Sequence, residues 1–319
     1  MNVIESAEGK GWTVWHGDCV EVTSNLPDAS VGYTIFSPPF ASLYTYSDSP
    51  RDMGNTATHE EFYRHFSFLV PQLLRVTKPG RLLSFHCMNL PTSKARDGYI
   101  GLSDFRGILI RAFQDAGWIY HSEVCIWTDP VTAMQRTKAL GLLHKQIKKD
   151  SSMSRQGIPD YLVTMRKPGD NPDPVTHTNE TFPVERWQRY ASPIWVTTRG
   201  VDGEGFAVCT GEDDGTDSGS VERGDTLTAR EARDERDERH LCCLQLPVIR
   251  RAIRLWTNPN DVVFSPFGGV GSEPYTAIEE GRRAIACELK GSYFKQMVKN
   301  LRSIERSAGQ PDLFSAMEG

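Results

Sequence analysis

The sequence lacks the features that mark secreted, membrane-spanning and metal-binding proteins. No apolar run approaches the roughly 18 residues that a bilayer-crossing helix needs, and the opening MNVIESAEGKGW has neither the basic start nor the apolar stretch of a signal peptide. The seven cysteines are scattered and include no CxxC pair, which argues against disulfide and zinc frameworks. We therefore expect an intracellular protein with reduced thiols and no metal, in which the isolated His86, His121 and His144 are structural or surface residues.

The composition is that of an ordinary globular protein. Of the 319 residues, 39% are hydrophobic and 24% are charged, so a fibrous or low-complexity role is not expected. The length corresponds to about two domains, or to one large α/β domain that carries an insertion.

The net charge of −5 conceals two segments of opposite sign. Residues 202–239 contain 13 acidic and 5 basic side chains with few apolar ones, which predicts a flexible acidic loop. Residues 136–167 contain 8 basic and 2 acidic side chains, which is typical either of a phosphate-binding surface or of a solvated helix face. The candidates for phosphate contacts in this segment are Lys145, Lys148, Lys149 and Arg155.

Strand and helix patterns alternate along the chain, which predicts a doubly wound, mostly parallel α/β sheet. The expected strands are residues 13–16, 32–36, 81–87, 119–127, 261–264 and 284–287. The expected helices are residues 22–26, 59–77, 105–116, 247–256, 274–280 and 293–306. From 129 to about 198 the periodicity is poor and basic and aromatic residues are frequent, which favours a recognition insert over core.

The glycine loop from Phe264 to Ser272 is a candidate cofactor site. A buried strand that leads into glycines and then a helix brings bare backbone close to a ligand. No GK[ST] follows the glycines, and Pro274 stands where a dinucleotide fingerprint has its third glycine. Glu288 ends the next strand, where it can accept hydrogen bonds from a ribose. The pattern fits a nucleoside cofactor without phosphates, such as S-adenosylmethionine, although an ordinary glycine turn has the same local form.

The second candidate site is Ser37-Pro38-Pro39-Phe40, directly after a predicted strand. The prolines fix the backbone, so the Ser37 hydroxyl and the Pro38 carbonyl become rigid acceptors. Such acceptors can hold both hydrogens of an exocyclic amine on a nucleobase and so localise its lone pair for attack on a methyl sulfonium. Phe40 would stack on the flipped base. A simple proline bend after a strand is the alternative.

These motifs together resemble those of the amino-group DNA methyltransferases, which modify N4 of cytosine or N6 of adenine. The similarity comprises His16-Gly17-Asp18-Cys19, the segment from Leu26 to Val31, the [DNS]-P-P-[YF] motif at Ser37 to Phe40, and the cofactor loop from Asp261 to Ser272. The order, with the catalytic motif first and the cofactor loop last, is similar to the permuted beta subgroup. Ser265 departs from the usual aspartate of the loop, and the segment from His240 to Pro247 is only a loose version of the family's His-Pro-rich motif.

The resemblance implies an S-adenosylmethionine-dependent methyltransferase fold with an inserted target-recognition region. Its catalytic residues would be Ser37, Pro38, Pro39 and Phe40, and its cofactor contacts Asp18, Cys19, His240, Phe264, Ser265, Phe267, Gly268, Gly269, Gly271 and Glu288. The organisation it implies is a catalytic half (1–128), a recognition region (129–200), an acidic flexible loop (201–239), a cofactor-binding half (240–306) and a tail (307–319).

The implied activity is site-specific methylation of an exocyclic amine in double-stranded DNA, in the cytoplasm of a prokaryotic cell or a virus-infected one. Ser37 in place of aspartate resembles the cytosine-N4 branch more than the adenine-N6 branch. RNA or a protein amide as substrate, or a catalytically silent DNA-binding module, remain alternatives. The tail Gln310 to Phe314 resembles peptides that dock on bacterial sliding clamps, and a restriction endonuclease partner is left open.

Overall fold

A computed structural model of the chain describes residues 3–40, 51–56, 58–127, 144–196, 226–227 and 244–309. Nine strands form one sheet, and two short strands, β5 and β6, form a separate hairpin. In chain order the strands are β1 (Val3–Gly9), β2 (Trp12–Gly17), β3 (Val31–Phe36), β4 (Thr77–Met88), β5 (Leu90–Pro91), β6 (Leu102–Ser103), β7 (Ile119–Trp127), β8 (Asp160–Arg166), β9 (Ile194–Val196), β10 (Val262–Ser265) and β11 (Arg283–Glu288).

The large sheet has the order β1-β2-β11-β10-β3-β4-β8-β7-β9. The five strands from β2 to β4 in that order are mutually parallel, whereas β1 and β8 run antiparallel to their neighbours. The carboxyl ends of the five parallel strands therefore share one edge of the sheet, here called the carboxyl edge, and their beginnings share the amino edge. Because β8 is antiparallel to β4, its first residue Asp160 lies opposite Met88 at the carboxyl edge.

Capping residues set where several helices begin. The Asp18 carboxylate accepts hydrogen bonds from the backbone of Val20 and Glu21, and the Thr58 hydroxyl accepts one from Glu61. The helices are α1 (Cys19–Asn25), α2 (His59–Val76), α3 (Lys94–Asp97), α4 (Phe105–Asp115), α5 (His144–Lys149), α6 (Val184–Tyr190), α7 (Leu246–Trp256), α8 (Ser272–Glu279) and α9 (Gly291–Gly309).

The helices cover both faces of the sheet and enclose two hydrophobic cores. Helices α1, α2 and α4 pack on one face, where Phe85 of β4 stacks on Phe113 of α4 with 5.1 Å between ring centroids. Helices α7, α8 and α9 pack on the other face, where Ile249, Ala277 and Met297 are buried. The predicted doubly wound, mostly parallel sheet is thus confirmed.

Two parts of the sheet differ from the sequence expectation. Strand β1 was not predicted, because its side chains are largely exposed and carry no apolar alternation. The expectation that the stretch from 129 to 198 lies outside the core is wrong for β8 and β9: Val163 and Met165 are fully buried between β4 and β7, and Trp195 is buried on β9. Short strands that depend on their neighbours for burial leave little periodicity in the sequence.

Within the described ranges, no helix is long and apolar enough to cross a membrane. The same residues contain no group of three or more His, Cys, Asp or Glu side chains that could hold a metal ion.

Candidate active site

The two sequence motifs lie side by side at the carboxyl edge. Strands β3 and β10 are parallel neighbours, with Val263 opposite Tyr33 and Phe264 opposite Thr34. Ser37-Pro38-Pro39-Phe40 follows β3, and the glycine loop follows β10, so both segments emerge from the sheet at adjacent positions. In open α/β sheets ligands bind outside the carboxyl ends of the strands. This pairing brings together residues that are more than 220 positions apart in sequence.

The glycine loop is a tight turn that requires its glycines. Gly268 donates a hydrogen bond to the Cys287 carbonyl at 2.8 Å, and Gly271 donates one to the Gly268 carbonyl at 2.7 Å. Gly269 and Gly271 have φ angles of 52° and 95°, in the left-handed region that favours glycine. A Cβ on Gly268 would lie 2.9 Å from the Met297 sulfur. Larger residues would therefore distort the backbone that leads into α8.

Glu288 at the end of β11 is tied to this loop. One carboxylate oxygen accepts from the Gly269 amide at 2.7 Å and the other accepts from the Lys290 amide at 2.8 Å. Burial raises the pKa of Glu288 to about 7. Glu288 lies opposite His16 in the β2–β11 pairing, so Asp18, two residues further along, lies nearby at the same edge. Each Glu288 oxygen retains acceptor capacity that could bind a ribose hydroxyl.

Two further polar groups beside the loop are buried. The Ser265 hydroxyl is buried and has no hydrogen-bond partner among the described residues. Glu273, in the first turn of α8, is 5% exposed. Its pKa is raised to about 8, chiefly by burial and also by the Glu288 charge, and no basic side chain of the described chain pairs with it. Buried carboxylates without a cation fit a positively charged ligand such as S-adenosylmethionine.

The other predicted cofactor residues divide into three groups. Cys19 and Phe264 belong to the hydrophobic core, so only their backbone can reach a ligand. Phe267 is half-buried and its ring lies 5.6 Å from that of Phe36. His240 lies outside the described residues. Glu273 was missed by sequence reasoning, although an acidic residue directly after a glycine loop is a signal that could have identified it.

The Ser37 to Phe40 motif contacts a histidine and, through it, an aspartate. The Ser37 hydroxyl lies 3.1 Å from Nδ1 of His86, and Nε2 of His86 lies 3.7 Å from the Asp160 carboxylate. His86 and Asp160 are 3% and 4% exposed. His86 is buried within strand β4, which agrees with the expectation of a structural histidine. Its contact with Ser37 was missed, because a lone histidine in a strand gives no sequence signal for a partner 49 residues away.

Pro38 is buried and Pro39 is half-buried, as expected for a rigid bend. The Phe40 ring is 8% exposed and packs edge-on to His86, with 6.0 Å between ring centroids. It also contacts Phe105 at 6.3 Å. Stacking of Phe40 on a flipped base stays a prediction, and it requires the ring to leave this aromatic cluster.

The basic candidates lie on the segment that joins β7 to β8. The chain leaves the sheet at Trp127 and returns at Asp160, both at the carboxyl edge. Within this segment, the side chains of α5 that were predicted to contact phosphates are exposed: Lys145, Lys148 and Lys149. Arg155 is half-buried and donates to the Gly101 carbonyl at 2.6 Å, while its Nε and Nη2 atoms are buried without a partner among the described residues. Burial lowers the pKa of Arg155.

A glycine loop and an acidic residue after neighbouring parallel strands, beside a second rigid motif, define the class of Rossmann-like methyltransferases. The sequence model of the N6/N4 methyltransferase family, described as DNA methylase, matches residues 31–299. The match covers most of the chain, which therefore belongs to this family of S-adenosylmethionine-dependent DNA methylases.

Solved structures share the fold over nearly the whole chain. The PvuII DNA methyltransferase, described as cytosine-N4-specific, superposes with a TM-score of 0.61 at 14% identity, over 94% of this chain and 90% of that one. A "Putative DNA Modification Methylase" from Thermus thermophilus, complexed with S-adenosyl-L-methionine, superposes with a TM-score of 0.59 at 19% identity, over 90% and 91%. "Putative methylase YubD" from Escherichia coli K12 is 36% identical over 58 residues, which are 18% of this chain and 26% of that protein.

Proposed function

We propose that this protein transfers a methyl group from S-adenosylmethionine to the exocyclic amine of a flipped base in duplex DNA, with N4 of cytosine as the target. The observation that carries the proposal is the adjacency of the two motifs on β3 and β10. A base amine held by the Ser37 to Phe40 motif and a methyl donor held by the glycine loop would meet at the carboxyl edge of the sheet.

The cofactor supplies an electrophilic methyl group on a positively charged sulfur. Glu288 would bind the ribose hydroxyls through its free lone pairs, and the buried carboxyl of Glu273 would offset positive charge on the methionine part. Asp18 would lie near the adenine. This arrangement compensates for Ser265, which has no charge where the family usually has an aspartate, and it argues against a silent module that has lost the cofactor site.

The choice of cytosine rests on Ser37. Its hydroxyl and the Pro38 carbonyl would accept the two amine hydrogens and favour a tetrahedral nitrogen with a localised lone pair. Adenine N6 is the second candidate, because the same acceptors suit either amine.

The exposed lysines of α5, Lys145, Lys148 and Lys149, would contact DNA phosphates. The predicted clamp-binding tail from Gln310 to Phe314 lies outside the described residues and stays a prediction.

The test is methylation of PCR-amplified DNA, which carries no modified bases, with labelled S-adenosylmethionine and nucleoside mass spectrometry. We expect 4-methylcytosine as the product. Pro38→Ala should abolish it, because the acceptor carbonyl loses its fixed direction, whereas Pro27→Ala, at an exposed loop proline, serves as the matched control. 6-Methyladenine would redirect the assignment to the second candidate. Cofactor binding without any DNA product would contradict the proposal and favour RNA or protein amides.

A further inference from the structure

Ser37 differs from the aspartate of many relatives in one chemical respect: its hydroxyl carries a proton of its own. If the Ser37 oxygen accepts a proton from the target amine, that hydroxyl proton must move elsewhere. Among the described residues, the side-chain hydrogen-bond partner that the structure records for Ser37 is Nδ1 of His86, at 3.1 Å. The surroundings of His86 therefore decide whether it can receive this proton.

The pairing of β4 and β8 sets these surroundings. His86 lies opposite Leu162, and Asp160 lies opposite Met88, so His86 and Asp160 are diagonal neighbours on one face of the sheet. Their side chains are 4% and 6% exposed, and the Nε2 atom of His86 has no hydrogen-bond partner among the described residues. The 3.7 Å gap from Nε2 to the Asp160 carboxylate is within ion-pair reach, and such contacts often tighten when a complex forms.

Asp160 is the acidic group that faces His86 within ion-pair distance. Arg106 and Glu123 pair with each other at 2.8 Å, and the Arg106 guanidinium lies over the Tyr161 ring, 4.3 Å from its centroid. The Asp160 carboxylate on the Nε2 side and the Ser37 hydroxyl on the Nδ1 side place the His86 ring between them.

We infer that Ser37, His86 and Asp160 form a proton relay for methyl transfer, an inference that rests on the proposed function. Transfer forms the N–CH₃ bond, breaks the S–CH₃ bond and leaves the electron pair on sulfur. The methylated amine then gives one proton to the Ser37 oxygen, the Ser37 hydroxyl proton passes to Nδ1 of His86, and Asp160 stabilises the imidazolium. Ser37 is the catalytic residue that touches the base, and His86 and Asp160 are positioning residues that act through it.

The experiment is a double-mutant cycle measured by single-turnover methylation of PCR-amplified DNA at saturating S-adenosylmethionine. His86→Asn should lower the rate about 100-fold and leave the cofactor dissociation constant unchanged. In a Ser37→Asp or Ser37→Asn background the acceptor has no proton to release, so the same His86 change should alter the rate by less than about threefold. The exposed His121→Asn is the matched control. Asp160→Asn should behave like His86→Asn, with a smaller effect.

A structural role for His86 would produce the same loss in every background, and that result would overturn the relay. A second measurement does not depend on the Ser37 variants being active: the wild-type rate should show a normal solvent deuterium isotope effect that His86→Asn abolishes. An unchanged isotope effect would also overturn the relay. If the wild type yields a methylated base and His86→Asn is as fast, only the relay fails. If the wild type yields no methylated base, the proposed function fails first, and the relay with it.

Discussion

Two buried polar clusters at opposite edges of the sheet, one around Arg81 and one at Ser265 and His86, differ in how many of their hydrogen bonds are made. At the amino edge, Arg81 is 2% exposed and its guanidinium donates to the carbonyls of Gly32 and Asp173 and pairs with Asp261. At the carboxyl edge, the Ser265 hydroxyl and the His86 Nε2 atom are buried without a hydrogen bond in the described structure. The comparison indicates that the Arg81 cluster stabilises the fold, whereas the carboxyl-edge groups retain bonding capacity, which Ser265 would use toward a ligand and His86 toward Asp160.

The largest expected effect comes from breaking the amino edge. Asp261→Ala removes the buried charge partner of Arg81 and leaves, among the described residues, only the exposed Asp173, 4.0 Å away, so the free energy of unfolding should fall by about 3 to 5 kcal/mol, measured by urea denaturation. Asp28→Ala removes an exposed partner of Arg75 and should cost about 0 to 1 kcal/mol. A loss of similar size in both variants would contradict the stabilising role assigned to the amino edge.

A smaller effect of opposite sign is expected at the carboxyl edge from Glu273→Gln. The pKa of Glu273 is about 8 in the folded protein against 4.5 for the free side chain, so folding retains a proton that the unfolded chain has lost. The stability of the ligand-free protein should therefore decline as pH rises from about 4.5 to 8.

In thermal unfolding without cofactor, Glu273→Gln should reduce this decline and stabilise the protein at pH 8, because Gln has no proton to lose. It should also weaken S-adenosylmethionine binding at that pH, measured by calorimetry. Glu279→Gln, on the same helix and paired with Arg250, is the control that should leave both quantities nearly unchanged. If the stability of Glu273→Gln depends on pH as steeply as that of the wild type, this carboxyl does not cause the decline in stability.

The smallest effect per residue is expected at the exposed lysines of α5. Replacing Lys148 and Lys149 together by alanine should weaken DNA binding and reduce the slope of log K against log salt by about 2, because two phosphate contacts are lost. The readout is fluorescence anisotropy over a salt series. Lys10→Ala, at an exposed position on the amino edge, should leave the slope unchanged. Equal slopes in all three proteins would remove α5 from the DNA-binding surface.

Sequence patterns predicted the parts of the molecule whose signals are local. Helix α2 was expected over 59–77 and spans His59–Val76, because apolar spacing and a Thr58 cap mark its course. The strands before the two motifs were also predicted within a few residues. Strand β8 was not, since its burial comes from β4 and β7, which precede it by dozens of residues.

The sequence by itself determined the chemistry of the two motifs, because prolines and glycines act through backbone sterics that need no distant partner. The order of the motifs, the family resemblance and the expected cofactor followed from that chemistry. Only the tertiary structure decided that Glu273 is buried beside Glu288, and that Ser37 contacts His86, which in turn faces Asp160. Those contacts depend on which strands become neighbours in the sheet, and strand order is set by the packing of the whole chain.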